Sequence, residues 1–245
     1  MRSMSGQQRL RLRRSVVVVV AFFGGVFWYI NQNSVATPPS IVEQQPTDTV
    51  LAERTSVEPL ARDVLEEIPI KGRAPKTGYE RSEFGDGWAE VGQCDMRNIM
   101  LARYLRDTVI EDGCIVRSGV LDDPYTDTTI NFQRGEQTSA LVQIDHVVAL
   151  SDAWQKGAQA LSFDERVRFA NDPLNLLPVD GDANQKKSNS DAASWLPPNK
   201  GFRCQYVARQ IAVKHKYGLW VTDAEATAMK RVLNGCGEQR VPIER

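Results

Sequence analysis

Histidine occurs only twice in the 245 residues, as His146 and His215, so any imidazole chemistry falls to one of these two. Cysteine occurs four times and never as a C-x-x-C pair, which argues against a structural zinc site. With 17 glycines and 12 prolines the chain is neither collagen-like nor low-complexity, and no internal repeat is visible. Neither sign of charge predominates: 30 Lys and Arg face 31 Asp and Glu, so bulk charge names no partner. No aromatic–basic pattern of the RNA-recognition kind is present.

The charge is nevertheless unevenly spread. Residues 1–36 carry five arginines and no acid, residues 37–185 carry 14 bases and 26 acids, and residues 186–245 carry 11 bases and 5 acids. A basic end behind an acidic body suggests a local anionic partner such as a phosphate backbone, but on charge alone a solvated helix surface rich in Lys and Arg is the favoured reading. The arginines of the first segment precede an apolar run, 16–30, of 15 residues. A spanning helix needs about 20 such residues and a signal-peptide core roughly 7–15. Ser34 and Ala36 then offer a small-residue cleavage site, so residues 1–36 are expected to be a signal peptide, with a retained signal anchor as the alternative. Either way the body lies outside the cytoplasm, secreted or tethered to the outer face of the membrane. In that oxidising setting Cys94, Cys114, Cys204 and Cys236 are expected to form two disulfides. The two local pairings, Cys94–Cys114 and Cys204–Cys236, are preferred.

Residues 37–72 hold five prolines and little periodic pattern, and are expected to form an extended linker with at most one helical stretch near 59–67. The folded domain is expected over 73–245. Asp95 is positioned to cap a helix reaching Leu105. Segments 114–121 and 128–132 alternate like strands around a turn, and 141–150 is a third strand candidate. Ser162 with Glu165, and Thr222 with Glu225, make capping boxes for two helices, and another helix is expected over about 201–217. The class is α+β, a small sheet with several helices.

The chemistry concentrates between Asp145 and Lys187. Asp145-His146 interrupts an apolar strand, Asn175-Leu176-Leu177 follows after an intervening segment, and Asn184 through Lys187 close the series. A carboxylate and an amide oxygen suit a hard divalent cation. A neutral imidazole beside them takes a proton from water, since its unperturbed pKa lies near neutrality. A lysine nearby offsets phosphoryl charge. That order is what a one-metal phosphodiesterase needs.

These segments resemble the HNH nuclease motif, with Asn184 in place of the last histidine. From about Tyr79 to Cys236 the chain more closely resembles exported bacterial HNH endonuclease-like proteins, whose domain is related to the C-terminal domain of GmrSD modification-dependent restriction enzymes. The matching segments include 79–85 with Trp88, 94–98, 123–126, 142–150, 169–177 and 191–198. The resemblance implies a ββα-metal core with a helical insertion over 151–170. In it His146 would be the general base, Asp145 and Asn184 the metal ligands, and Asn175 the holder of the loop that orients His146. Lys187 would contact phosphate. The cofactor would be a divalent metal, Mg²⁺ before Mn²⁺, and the partner a nucleic acid, DNA before RNA. Two departures stand out: Asp127 and Ser188-Asn189 replace glycine-containing pairs or positions usual in the pattern.

Arg134 and Lys186 are candidate phosphate ligands, Arg134 equally a structural partner. His215, in Lys214-His215-Lys216, is expected to be a surface charge at a helix end. Trp195, Asp123 and Tyr125 are expected to serve packing and turn architecture. The resulting expectation is an exported, disulfide-stapled, metal-dependent endonuclease. A non-catalytic envelope-associated binding protein and a toxin-like nuclease are the alternatives.

Overall fold

The computed structural model describes residues 58–242. The expected leader 1–36, and the start of the expected linker, lie outside these residues. The described remainder of that linker contains the helical stretch expected near 59–67. Ala61, Val64, Leu65 and Ile68 recur at helical spacing, and helix α1 (Ala61–Glu67) buries the first three against the last two helices of the chain. Packed structure is therefore present before Arg73, where the folded domain was expected to start.

A short 3-10 turn (Arg81–Phe84) and the two-residue strands β1 (Glu90–Val91) and β2 (Cys94–Asp95) follow. Asp95 then caps α2 (Met96–Tyr104), its side chain accepting from the Asn98 amide. Strands β3 (Arg106–Glu111), β4 (Ile115–Asp122) and β5 (Thr129–Gln133) form an antiparallel sheet of their own. Strand β6 (Val142–His146) pairs with β7 (Leu176–Asp180), with Asp145 opposite Leu177 and His146 opposite Leu176. Between them lie α3 (Leu150–Trp154) and α4 (Phe163–Ala170), the latter closed by the Ser162–Glu165 capping box. Helices α5 (Gly181–Lys187), α6 (Arg203–Lys216) and α7 (Asp223–Leu233) complete the mixed α and β body. Its strands thus form three small sheets, not one.

The third strand candidate stops at His146, four residues early. The side chain of Asn175 accepts from the Val148 amide at 2.8 Å and donates to the Val148 carbonyl at 3.3 Å, so the chain turns there instead of pairing onward. Three apolar clusters meet at this hairpin. Val142, Ile144 and Leu176 pack with α2 and β4, Val147, Leu177 and Val179 with α1, α6 and α7, and Val148 with α3 and α4. Both expected disulfides form, Cys94–Cys114 and Cys204–Cys236, the second joining the start of α6 to the chain just after α7.

A buried ionic cluster ties distant segments. Lys156 Nζ meets Asp152 at 2.8 Å, Asp191 at 2.8 Å and Glu225 at 2.6 Å. Lys214 contacts Asp152 and Glu225, and Arg73 contacts Asp152 and Asp191. Three cations thus face three carboxylates. Part of the basic excess of 186–245 is therefore spent inside the protein, while Lys186, Lys200, Lys230 and Arg231 are exposed. Lys214 is fully buried, Lys216 pairs with Asp172, Arg209 donates to the Leu176 carbonyl and Tyr104, and Arg203 to the Pro197 carbonyl. His215 pairs at the surface with Glu67, the role expected of it.

Removing one member leaves the others buried without compensation, so Lys156→Ala is expected to lower unfolding stability by about 3–5 kcal/mol in urea titrations. Lys156 and Arg73 hold Asp191 down to about 2 against its own burial. A carboxyl depressed in the folded state contributes stability that is complete above its unfolded value of about 3.9. That contribution is lost as the pH falls from about 4 through about 2, so urea midpoints are expected to decline over that interval, and less steeply in Asp191→Asn.

Candidate active site

Strand β6 carries Asp145 and His146 at its end, and α5 follows β7 directly, so two strands and a helix present one set of polar groups. Asp180 caps α5 by accepting from the Ala183 amide at 2.8 Å. The close approach of α5 to the preceding loop requires Gly181, where a Cβ would lie 2.1 Å from the Ala140 carbonyl oxygen. From the last turn of α5 the Lys187 ammonium reaches back, donating to Asp145 Oδ1 and to the His146 carbonyl, each at 2.9 Å. The other carboxylate oxygen, Asp145 Oδ2, accepts from the Tyr125 hydroxyl at 2.5 Å. Burial raises the Asp145 carboxyl above its ordinary value, against the opposing pull of Lys187 and the Tyr125 hydroxyl. The Tyr125 phenol is pushed well up by burial and by Asp145 itself, which keeps it a donor.

His146 is buried with Nε2 2.9 Å from the Ala170 carbonyl oxygen. A carbonyl only accepts, so in the neutral ring Nε2 carries the proton and Nδ1 the lone pair. The Trp88 indole stacks on the imidazole, with centroids 5.7 Å apart and planes within 10°. Burial lowers His146 to about 3, with smaller contributions from Arg81 and Lys187, outweighing the Ala170 carbonyl that favours the cation. The ring is accordingly neutral at ordinary pH. Beneath it Asn175, fully buried, holds Val148 through both side-chain atoms and also donates to the Phe169 carbonyl.

Asp145, His146 and Asn184 line one cleft of about 540 Å³. Asn184 donates through Nδ2 to Gln143 Oε1 at 2.9 Å, which orients its amide and leaves Oδ1 as an acceptor. Among the described residues no group of three His, Cys, Asp or Glu side chains is arranged to hold a metal. The donors present still fit a hard divalent ion. Each Asp145 oxygen keeps a second lone pair, Asn184 supplies an amide oxygen, and water and phosphate oxygens complete such a shell.

Other candidates are placed elsewhere. Lys187 is fully buried on Asp145, not extended toward a substrate phosphate. Arg134 donates to the Val116 carbonyl and Asn98 Oδ1, the structural role of its two readings. Lys186 is exposed on α5 and does not line the cleft. Tyr125, expected to be turn architecture, is also the second donor to Asp145, while Asp123 holds the turn through Thr126 and accepts from the Asp180 amide. Trp195 packs on Tyr125 and Tyr206. Arg81, Trp88 and Arg97 line the cleft although no spacing singles them out; their only sequence signal is their place in the matched segments.

Residues 97–232 match the family described as GmrSD restriction endonucleases, C-terminal domain. The chain is also 34% identical over 178 residues to an uncharacterized secreted protein of Arthroderma benhamiae, covering 72% of this chain and 84% of that protein. That relative is fungal, not bacterial.

The two departures from the glycine-containing pattern fall where glycine is favoured. Asp127 has φ 63° and Ser188 has φ 50°, both in the left-handed region. Such a backbone at a non-glycine residue costs of order 1–3 kcal/mol, partly offset by the extra unfolded-state freedom of glycine. Ser188→Gly is therefore expected to stabilise the protein by about 1 kcal/mol, read from thermal or urea midpoints.

Proposed function

We propose that this chain, which belongs to the family of GmrSD restriction endonuclease C-terminal domains, is an exported metal-dependent endonuclease of the HNH type that hydrolyses phosphodiester bonds, DNA ahead of RNA. The supporting observation is the meeting of a neutral, buried His146, an Asp145 carboxylate and an Asn184 amide in one cleft, on a strand–strand–helix unit. His146 acts as general base. The Ala170 carbonyl keeps the proton on Nε2, so Nδ1 accepts a proton from the attacking water. Trp88 fixes the ring plane, and Asn175 fixes the loop that follows the histidine. An anionic phosphate entering the cleft draws the field of Arg81 onto itself and raises the proton affinity of the imidazole.

Asp145 and Asn184 would hold a divalent cation, Mg²⁺ or Mn²⁺. Bound there, it would polarise the phosphate and stabilise the departing oxyanion. Lys187 and Tyr125 keep the Asp145 carboxylate oriented toward that task, a positioning role rather than a phosphate contact. The arginine-rich, apolar N-terminal segment and the secreted relative support export. Among the described residues, which do not include that segment, no helix is long and apolar enough to cross a membrane.

The test is nicking of plasmid DNA by the chain with both disulfides formed, in Mg²⁺ or Mn²⁺, with EDTA and RNA controls. Nicking abolished by EDTA is expected. It should fall by at least about 100-fold in His146→Ala, the usual scale for a general base, and strongly in Asp145→Asn and Asn184→Ala. Absence of cleavage by a folded, oxidised sample with every divalent metal and both nucleic acids overturns the reading in favour of a binding protein.

A further inference from the structure

The side chains expected to meet phosphate do not reach the cleft, yet two other cations line it, Arg81 and Arg97. Arg97 lies in the first turn of α2 and is half-buried, and its Nη2 donates to the carbonyls of Ser139 at 3.3 Å and Val142 at 3.1 Å. A guanidinium carries five N–H donors in a planar fork, so these two carbonyls leave donors over. No carboxylate forms an ion pair with it among the described residues. The acid whose field does reach it, Asp95, spends Oδ1 on the backbone amide and side chain of Asn98, at 2.7 and 3.0 Å.

Arg134 acts on Arg97 as a like charge and is itself bonded to neutral acceptors, Asn98 Oδ1 at 2.6 Å and the Val116 carbonyl at 2.8 Å. Burial and Arg134 together push Arg97 below its ordinary value. The three fully buried lysines, Lys156, Lys187 and Lys214, contrast with this, since each lies on a carboxylate. A desolvated guanidinium beside a like charge has unfavourable electrostatic energy that an incoming anion relieves. Arg81, exposed on the 3-10 turn, adds a second positive charge at the same cleft, close enough for its field to act on His146.

We propose that Arg97 and Arg81 form the phosphate-binding pair of this cleft, taking the nucleic-acid backbone without regard to base sequence. Arg97 is the fixed fork, held by the 139 and 142 carbonyls, and Arg81 the exposed second ligand. Arg134 is a positioning residue that secures Asn98 and keeps the charge of Arg97 uncompensated. The inference rests on the nuclease reading, and it moves the phosphate-binding role from Lys187, Lys186 and Arg134 to two arginines that precede β3 in the chain.

The test measures binding of a short DNA duplex by fluorescence anisotropy across a salt series. It uses the full chain with both disulfides formed, in EDTA and in a His146→Ala background, so that the duplex stays intact. Removing one cation that neutralises a phosphate is expected to reduce the slope of log K against log salt by about 0.9. Arg81→Gln and Arg97→Gln should each lower it by about one such unit, with weaker binding, and the double variant by about two. Arg97→Lys keeps the charge but not the fork, so it should weaken binding while keeping the slope. Arg106→Gln, on the surface of β3 and paired with Asp122, should change neither. Because Arg97→Gln also breaks the two hydrogen bonds to carbonyls, Arg81→Gln and Arg97→Lys carry the decision. Parent-like affinity and slope in both overturn the proposal, as does a parent protein that binds no DNA. If those variants in an otherwise wild-type chain still nick plasmid, the nuclease reading stands without this pair. If His146→Ala nicks as fast as wild type, the general-base assignment fails while the arginine result is read independently.

Discussion

A carboxylate at the end of a buried strand has to be compensated, and the compensation of Asp145 shapes the centre around it. Water cannot solvate this group, which is 4% exposed, so an ammonium and a phenol do so instead. The ammonium, Lys187, belongs to α5 and draws that helix onto β6. The phenol, Tyr125, belongs to the turn between β4 and β5 and brings the three-stranded sheet to the same point. Because Lys187 also donates to the His146 carbonyl, one cation holds both the side chain of Asp145 and the backbone of His146. The consequence is functional: a lysine committed to the interior does not meet a phosphate, and the cleft draws its positive charge from Arg81 and Arg97.

The same constraint recurs on a larger scale away from the cleft. Asp152, Asp191 and Glu225 come from three separate segments, and Lys156, Lys214 and Arg73 hold them together. Asp152 and Lys156 lie just beyond the loop that Asn175 clamps, so this cluster braces the segment leading out of β6. Rigid support from behind is what a reactive imidazole with a fixed tautomer requires. The apolar clusters supply the rest: β6 contributes to one of them, β7 to two, and Val148 just beyond β6 to the third.

What was legible in the sequence is local. Asp95, Ser162 and Thr222 cap the helices their spacing marks, and the Cys94–Cys114 and Cys204–Cys236 pairings follow from proximity along the chain. Asp145-His146 stands out because two polar residues end an apolar run, and both do line a cleft with Asn184. What was not legible depends on partners far away. Lys187 and Lys214 look like solvated surface charges until Asp145, 42 residues earlier, and Asp152, 62 residues earlier, are brought to them. Charge runs describe ionisable groups, not where the opposite charge lies, so nothing in the basic C-terminal region marks Lys187 and Lys214 as the two lysines that fold onto buried carboxylates. Helix α1 falls in the helical stretch expected near 59–67, but its packing against α6 and α7 depends on partners about 140 residues or more away and leaves no local trace. The Trp88–His146 stack leaves no periodic trace at all.

The measurement that tests the central assignment most directly is chemical rescue of His146→Gly, which leaves a cavity where the imidazole stood. If the ring of His146 is the base, the variant should nick DNA poorly alone and regain activity as neutral imidazole is added, with rescue following the concentration of the free base. A His146→Gly protein that nicks at the wild-type rate without imidazole contradicts the account.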